Sequence, residues 1–168
     1  MNRIEKSRID ELFNYLHATK MSADEIYSLI GGGLGGRQKG LQSEYNVVFA
    51  LARLPCVCKV RKTERRSVED LEGNDMTVYF PGNGDFKEIG FVRVQVKSSN
   101  IAIHIFENTI IEKNKINRTG LAEWLLEHKL IILNGQIGKT DIAKNFMEQL
   151  ARIQEYRSTR NQSLSVGA

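Results

Sequence analysis

Val92-Arg93-Val94-Gln95-Val96-Lys97-Ser98-Ser99 alternates apolar and polar residues at period two, the pattern of a strand with one face in a core. Val92, Val94 and Val96 share the inward face. Arg93, Gln95 and Lys97 share the other, so an amide and an ammonium stand side by side on a rigid element. A solvated strand face carries the same pattern. The meaning of Gln95 and Lys97 therefore depends on what the rest of the chain brings to them.

On the N-terminal side, Met76-Thr77-Val78-Tyr79-Phe80 reads as a strand opened by Asp75 and closed by Pro81-Gly82. With the 90–98 stretch it forms an antiparallel hairpin with a long loop. Residues 56–63 read as an earlier strand, with Cys56, Cys58 and Val60 on one side. Two thiols are too few for a structural zinc site, and no His lies near them in sequence. They are read as small buried hydrophobes. Residues 38–54 read as a helix with Leu41, Val47, Val48, Leu51, Ala52 and Leu54 in its apolar stripe, stopped by Pro55. Glu44 lies one turn before Val47 and Val48, at the border of the buried side.

Further upstream, helices are expected over 2–19 and 22–30, the second with the Ser22/Glu25 spacing of a capping box. The run Gly31-Gly32-Gly33-Leu34-Gly35-Gly36 then separates an N-terminal extension, 1–36, from the main domain, 37–158. Downstream, Ile101-Ala102-Ile103-His104-Ile105-Phe106 reads as a further strand or a continuation of the previous one. Thr119 is the expected N-cap of a helix over about 120–128. Leu130-Ile131-Ile132-Leu133, ended by Asn134-Gly135, reads as a strand buried on both faces. Thr140 or Asp141 is expected to cap a last helix over about 141–157, and the polar tail, 159–168, is expected to be disordered. The order helix, three strands, helix, strand, helix gives an α/β domain with a central mixed sheet flanked by helices.

The 168 residues suffice for one domain with a real core. No apolar run approaches the roughly 18 residues of a membrane span, and MNRIEKSRIDELF lacks a signal-peptide core. An intracellular, cytoplasmic protein without membrane association is expected. The net charge is +4, and basic residues bunch over Lys59–Arg66, Lys113–Arg118 and Arg152–Arg160. Such clusters fit a phosphate backbone; a solvated surface carries them too. A nucleophile elbow of the G-x-S-x-G type is absent, the glycine run lacks the Lys of a phosphate loop, and His17, His104 and His128 have no metal-ligand spacing.

This element order, with Glu44, Asp75 and Gln95-Val96-Lys97 on its first helix, second strand and third strand, resembles the PD-(D/E)xK nuclease superfamily, whose fold is the restriction-endonuclease-like αβββαβ core. Arg37-Gln38-Lys39-Gly40-Leu41-Gln42-Ser43-Glu44 is similar to the opening segment of archaeal Holliday-junction resolvases. The Gln-Val-Lys-Ser-Ser form of the third strand resembles bacterial and phage members, and cyanobacterial intron-encoded homing endonucleases that use Gln in this slot. The resemblance covers about 38–135. Two positions depart from the commoner pattern: Asn74 stands where Pro usually precedes the Asp, and Gln95 stands for Asp or Glu.

The resemblance implies a Mg²⁺- or Mn²⁺-dependent DNA endonuclease of homing or restriction type. A Holliday-junction resolvase, or a non-catalytic DNA-binding protein retaining the fold, are the alternatives. Asp75, the side-chain oxygen of Gln95 and the backbone carbonyl of Val96 would be metal ligands, with Glu44 joining directly or through water. Hard divalent cations want such oxygen donors. Lys97 would orient or deprotonate the attacking water, or stabilise the transition state. Lys39, Lys59, Arg61, Arg65, Arg66 and Arg93 would hold duplex or branched DNA by its backbone. Cutting both strands would call for a homodimer or higher homo-oligomer.

Overall fold

The computed structural model describes residues 36–63 and 74–166. The helices expected over 2–19 and 22–30, the glycine run up to Gly35, and Arg65 and Arg66 lie outside the described residues. The elements are α1 (Gly36–Ala52), β1 (Lys59–Lys62), β2 (Met76–Tyr79), β3 (Phe91–Lys97), α2 (Asn100–Asn114), α3 (Arg118–Glu127), β4 (Leu130–Asn134) and α4 (Lys139–Val166). The fold is α/β, with a four-stranded mixed sheet in the order β1-β2-β3-β4. The first two pairings are antiparallel and β3–β4 is parallel. Among the described residues, no helix is long and apolar enough to cross a membrane.

The alternation read from β3 decides the layers. Val92, Val94 and Val96 are buried on one sheet face with Val60, Val78, Ile131 and Leu133. Tyr45, Val48 and Leu51 of α1 cover that face together with Ile142, Phe146, Leu150 and Ile153 of α4. On the opposite face, Leu130 and Ile132 pack against Ile110 and Leu121, with Ile103, Phe106 and Trp124 at the margin. β4 is therefore buried on both sides, as its unbroken apolar run implies.

Four local readings are corrected. Residues 101–106 are not a strand; they open α2. Ser99 is extended (φ −161°, ψ 162°), and its Oγ accepts the Ala102 N–H at 3.1 Å, an N-cap that starts a helix at Asn100. The alternating isoleucines mimic a strand, but Ile101 and Ile105 are exposed while Ile103, Phe106 and Ile110 face the second core at helical spacing. Second, β1 begins at Lys59 rather than residue 56. Two successive turns, Leu54 N–H to Leu51 O and Val57 N–H to Leu54 O, occupy the chain around Pro55. Cys58 is consequently exposed. Cys56 is half-buried, its Sγ 3.8 Å from Met147 Sδ, and burial raises its thiol pKa. Third, α4 starts at Lys139, before Thr140 or Asp141, and continues through the polar tail to Val166. No Gly or Pro interrupts 158–166, and Arg160 donates to Glu127 at 2.8 Å, tying the extension to α3. The cap of α3 is Asn117, whose Oδ1 accepts the Gly120 N–H, rather than Thr119.

The ends of β3 and β4 are clamped to α1. Asn46 Nδ2 donates to Gly135 O at 2.8 Å. A Cβ on Gly135 would overlap the backbone oxygen and Cα of Ser43. In contrast, a Cβ on Gly40, inside α1, would meet nothing within 4 Å. Gly135→Ala is expected to destabilise the chain by about 1–3 kcal/mol through overpacking. Gly40→Ala is expected to stabilise it by up to about 1 kcal/mol, because Gly weakens a helix interior. Urea unfolding followed by circular dichroism reads both signs; a neutral Gly135→Ala would contradict the clamp.

Candidate active site

The hairpin register places Met76 opposite Val94. One step further, β2 stops and Asp75 takes over. Its N–H donates to Val94 O at 2.9 Å. Its side-chain Oδ2 accepts the Val96 N–H at 2.7 Å, in place of the next strand rung. Asp75 is thus fixed against the Gln95-Val96-Lys97 segment by a short charge-assisted bond. Backbone groups on a strand alternate sides. The Val96 carbonyl therefore leaves β3 on the same edge as the Val94 carbonyl, at the point where β2 has ended.

Gln95 is not on a solvated face. It is 5% exposed, because α2 and α3 roof the β3–β4 half of that side of the sheet. Its Oε1 is buried and meets no hydrogen-bond donor among the described residues. A buried acceptor without a partner costs about 1–3 kcal/mol, so this oxygen marks a place where the chain gives up stability. Lys97, two residues on, is half-buried with its Nζ 4.8 Å from the centre of the Phe106 ring. This cation–π contact holds the ammonium near the strand end.

Glu44 arrives from α1 and is half-buried, one turn before the fully buried Val47 and Val48. The turn carrying it is pinned at its neighbours. Ser43 Oγ donates to Ser98 Oγ at 3.1 Å, and Gln136 Nε2 donates to Ser43 Oγ at 2.7 Å. Asp75 is therefore brought onto the Gln95-Val96-Lys97 segment directly. Glu44 is brought to the same end of β3 through the Ser43–Ser98 contact. Ser43, Ser98, Gly135 and Gln136 were not foreseen as parts of this arrangement. Ser43 and Ser98 lie inside the stretches that carry the resemblance, but for Gly135 and Gln136 the signal was Asn134-Gly135, which marks a turn and says nothing of the helix pressed against it.

The basic residues are more spread. Lys39 is exposed on α1, and Lys59 and Arg61 are exposed on β1. The register sets Arg61, Thr77, Arg93 and Leu130 in one row across the sheet. Arg61 and Arg93 therefore share the face that bears Gln95. His104 and His128 are on the surface, beside Arg118 and the Trp124 carbonyl respectively.

Among the described residues, no three His, Cys, Asp or Glu side chains group as metal ligands. The candidate set has two carboxylates, one amide and one backbone carbonyl, so its donors are oxygens of mixed charge. The orphaned Gln95 oxygen, one residue from the N–H that fixes the Asp75 carboxylate, is a donor of the kind a hard cation takes. No protein-family model, curated protein or solved structure matches the chain.

Gln95→Leu keeps the volume and removes the unpartnered oxygen. The variant is expected to melt at the same temperature as the parent or higher, in chelator and without added metal. A fall of several degrees would mean that the amide oxygen has a structural role.

Proposed function

We propose that the chain is a divalent-metal-dependent DNA endonuclease with the restriction-endonuclease-like core. The observation that carries this reading is the Asp75–Val96 bond, which holds a carboxylate against a strand segment whose Gln95 oxygen is buried without a donor among the described residues. The order of one helix, an antiparallel three-strand unit, two helices and a parallel fourth strand supports it. So does the position of Glu44 on a helical turn anchored at Ser98.

Asp75, Gln95 Oε1 and the Val96 carbonyl would hold Mg²⁺ or Mn²⁺, with Glu44 as an inner or water-mediated ligand. The bound ion would supply charge neutralisation at the phosphate and a more acidic water. The rest is done by the chain. Asp75 keeps its orientation through the Val96 N–H. Lys97, braced on Phe106, orients the attacking water and offsets the negative charge that grows on the phosphate. Lys39, Lys59, Arg61 and Arg93 hold the DNA backbone, joined by Arg65 and Arg66 of the adjoining segment. A single site cuts one strand, so a second copy of the chain is needed to cut both.

A plasmid assay tests this. With Mg²⁺ or Mn²⁺ the full chain is expected to convert supercoiled DNA to nicked or linear product, and chelator to stop it. Asp75→Asn and Lys97→Ala are each expected to lower the rate at least about 10²-fold, the scale of losing one preorganised electrostatic group. Absence of metal-dependent cleavage of supercoiled, linear and four-way-junction DNA would sink the enzyme and leave a DNA-binding protein of the same fold. Cleavage that survives Lys97→Ala would refute the site.

A further inference from the structure

Beside the candidate site, under the roof of α2 and α3, lies a cavity of about 350 Å³. Its lining includes Asn74, Arg93, Phe106, Lys113, Trp124 and His128. It adjoins the site at three points. Asn74 precedes Asp75. Arg93 stands two residues before Gln95 on the same face of β3, about 7 Å along the strand. Phe106 lines the cavity and also braces the Lys97 ammonium. From the phosphate-cleaving edge to the cavity is thus one nucleotide step of an extended strand.

The lining combines flat apolar faces, amides and cations. Trp124 is stacked on His128, with ring centroids 4.0 Å apart and 18° between planes. Arg93 and Lys113 bring positive charge, and among the described residues no carboxylate lines the cavity. Next to it, Lys129 lies 3.5 Å over the Phe91 ring and donates to Ile89 O at 3.3 Å. Burial, and then the neighbouring Arg157 and Arg93, push the Lys129 ammonium below its ordinary pKa. On the same sheet face, Tyr79 and Phe91 sit 6.3 Å apart as a tilted pair, and Lys59 shares their row. Stacking faces interleaved with cations are what a strand with exposed bases requires. A base held in a duplex stack cannot enter a roofed cavity.

We infer that the cavity beneath Trp124 receives one unpaired nucleotide adjoining the phosphate held at the Asp75–Gln95 edge, so that the chain acts where nucleic acid is single-stranded or opened. This rests on the nuclease reading for its phosphate, while the cavity itself is tested by binding alone. Arg93 contacts the nucleotide's phosphate, Trp124 and Phe106 face its base, and Asn74 supplies an amide to the base edge.

Trp124 is the chain's one tryptophan, so its fluorescence reports the cavity directly. The full chain, in chelator to prevent cleavage, is titrated with a single-stranded oligonucleotide, a duplex with one central unpaired nucleotide, a fully paired duplex of equal length, and a free nucleoside monophosphate. The first two are expected to quench Trp124 at concentrations at which the last two do not. Arg93→Gln is expected to weaken the quenching about tenfold, the effect of losing one charge-assisted contact. Lys144→Gln, which removes an exposed charge of α4, is expected to leave it unchanged. Thr109→Tyr, at an exposed position of the lining, fills the cavity and keeps the test valid should Arg93→Gln fold poorly; it is expected to abolish quenching. Equal quenching by the paired duplex, or none by any strand, overturns the inference even if the chain nicks plasmid DNA. Quenching by the free monophosphate at matching concentrations assigns the cavity to a soluble nucleotide and likewise overturns it. Strand-specific quenching without any cleavage upholds the cavity while the nuclease reading fails.

Discussion

The hydrogen bond from the Val96 N–H to Asp75 Oδ2 is the constraint on which this end of the molecule depends. Up to Met76, β2 and β3 pair through their backbones. Beyond it a side chain substitutes for a strand. A carboxylate accepts the N–H that would otherwise be left open, so the sheet can end here without an orphaned donor. Because the substitute is a side chain, the Val96 carbonyl on the same edge is not committed to a further strand rung by the β2–β3 register. A short charged bond therefore sets where β2 begins, how β3 ends and which groups line the edge.

The two faces of β3 divide the work. Val92, Val94 and Val96 lock the strand against α1 and α4, in a core dense enough that small shifts of the strand are resisted. That rigidity is passed to Gln95 and Lys97, which share the same backbone. Fixed geometry at a site normally comes from such support. The clamp of Ser43 and Asn46 on Ser98 and Gly135 extends it to α1. Glu44 and Lys97 are thereby carried on elements that cannot slide independently.

What was legible in the sequence had a local period behind it. The alternation of β3, the unbroken run of β4 and the stripe of α1 each state their own burial, and Asp75 follows from where its strand begins. The stretch 101–106 misled because isoleucines at period two outweighed Ser99, the N-cap of a helix. That one error had a distant consequence. Without α2, the Arg93-Gln95-Lys97 face looks open to water, whereas α2 and α3 bury Gln95 and enclose the cavity beside it. The Ser43–Ser98 and Asn46–Gly135 contacts join residues 55 and 89 positions apart, and no local pattern encodes such a pairing. The helical tail was misread for a different reason. Polar composition suggests disorder, yet nothing in 158–166 breaks a helix and Glu127 holds Arg160 in place.

The burial of Gln95 also bears on why an amide stands there. A carboxylate at a position 5% exposed would suffer desolvation. Such a group takes up a proton rather than stay charged. An amide brings the same oxygen with no charge, at the smaller cost of one unmade hydrogen bond. On the nuclease reading, the negative charge that would draw a cation in comes from Asp75 and Glu44. Both stand at less buried positions than Gln95, one fixed by a backbone N–H and the other on the flank of α1. Lys97 rests on the face of Phe106 near the edge. On the nuclease reading, this arrangement trades cation affinity for a site that survives empty, and the amide at position 95 follows from the roof that α2 and α3 place over it.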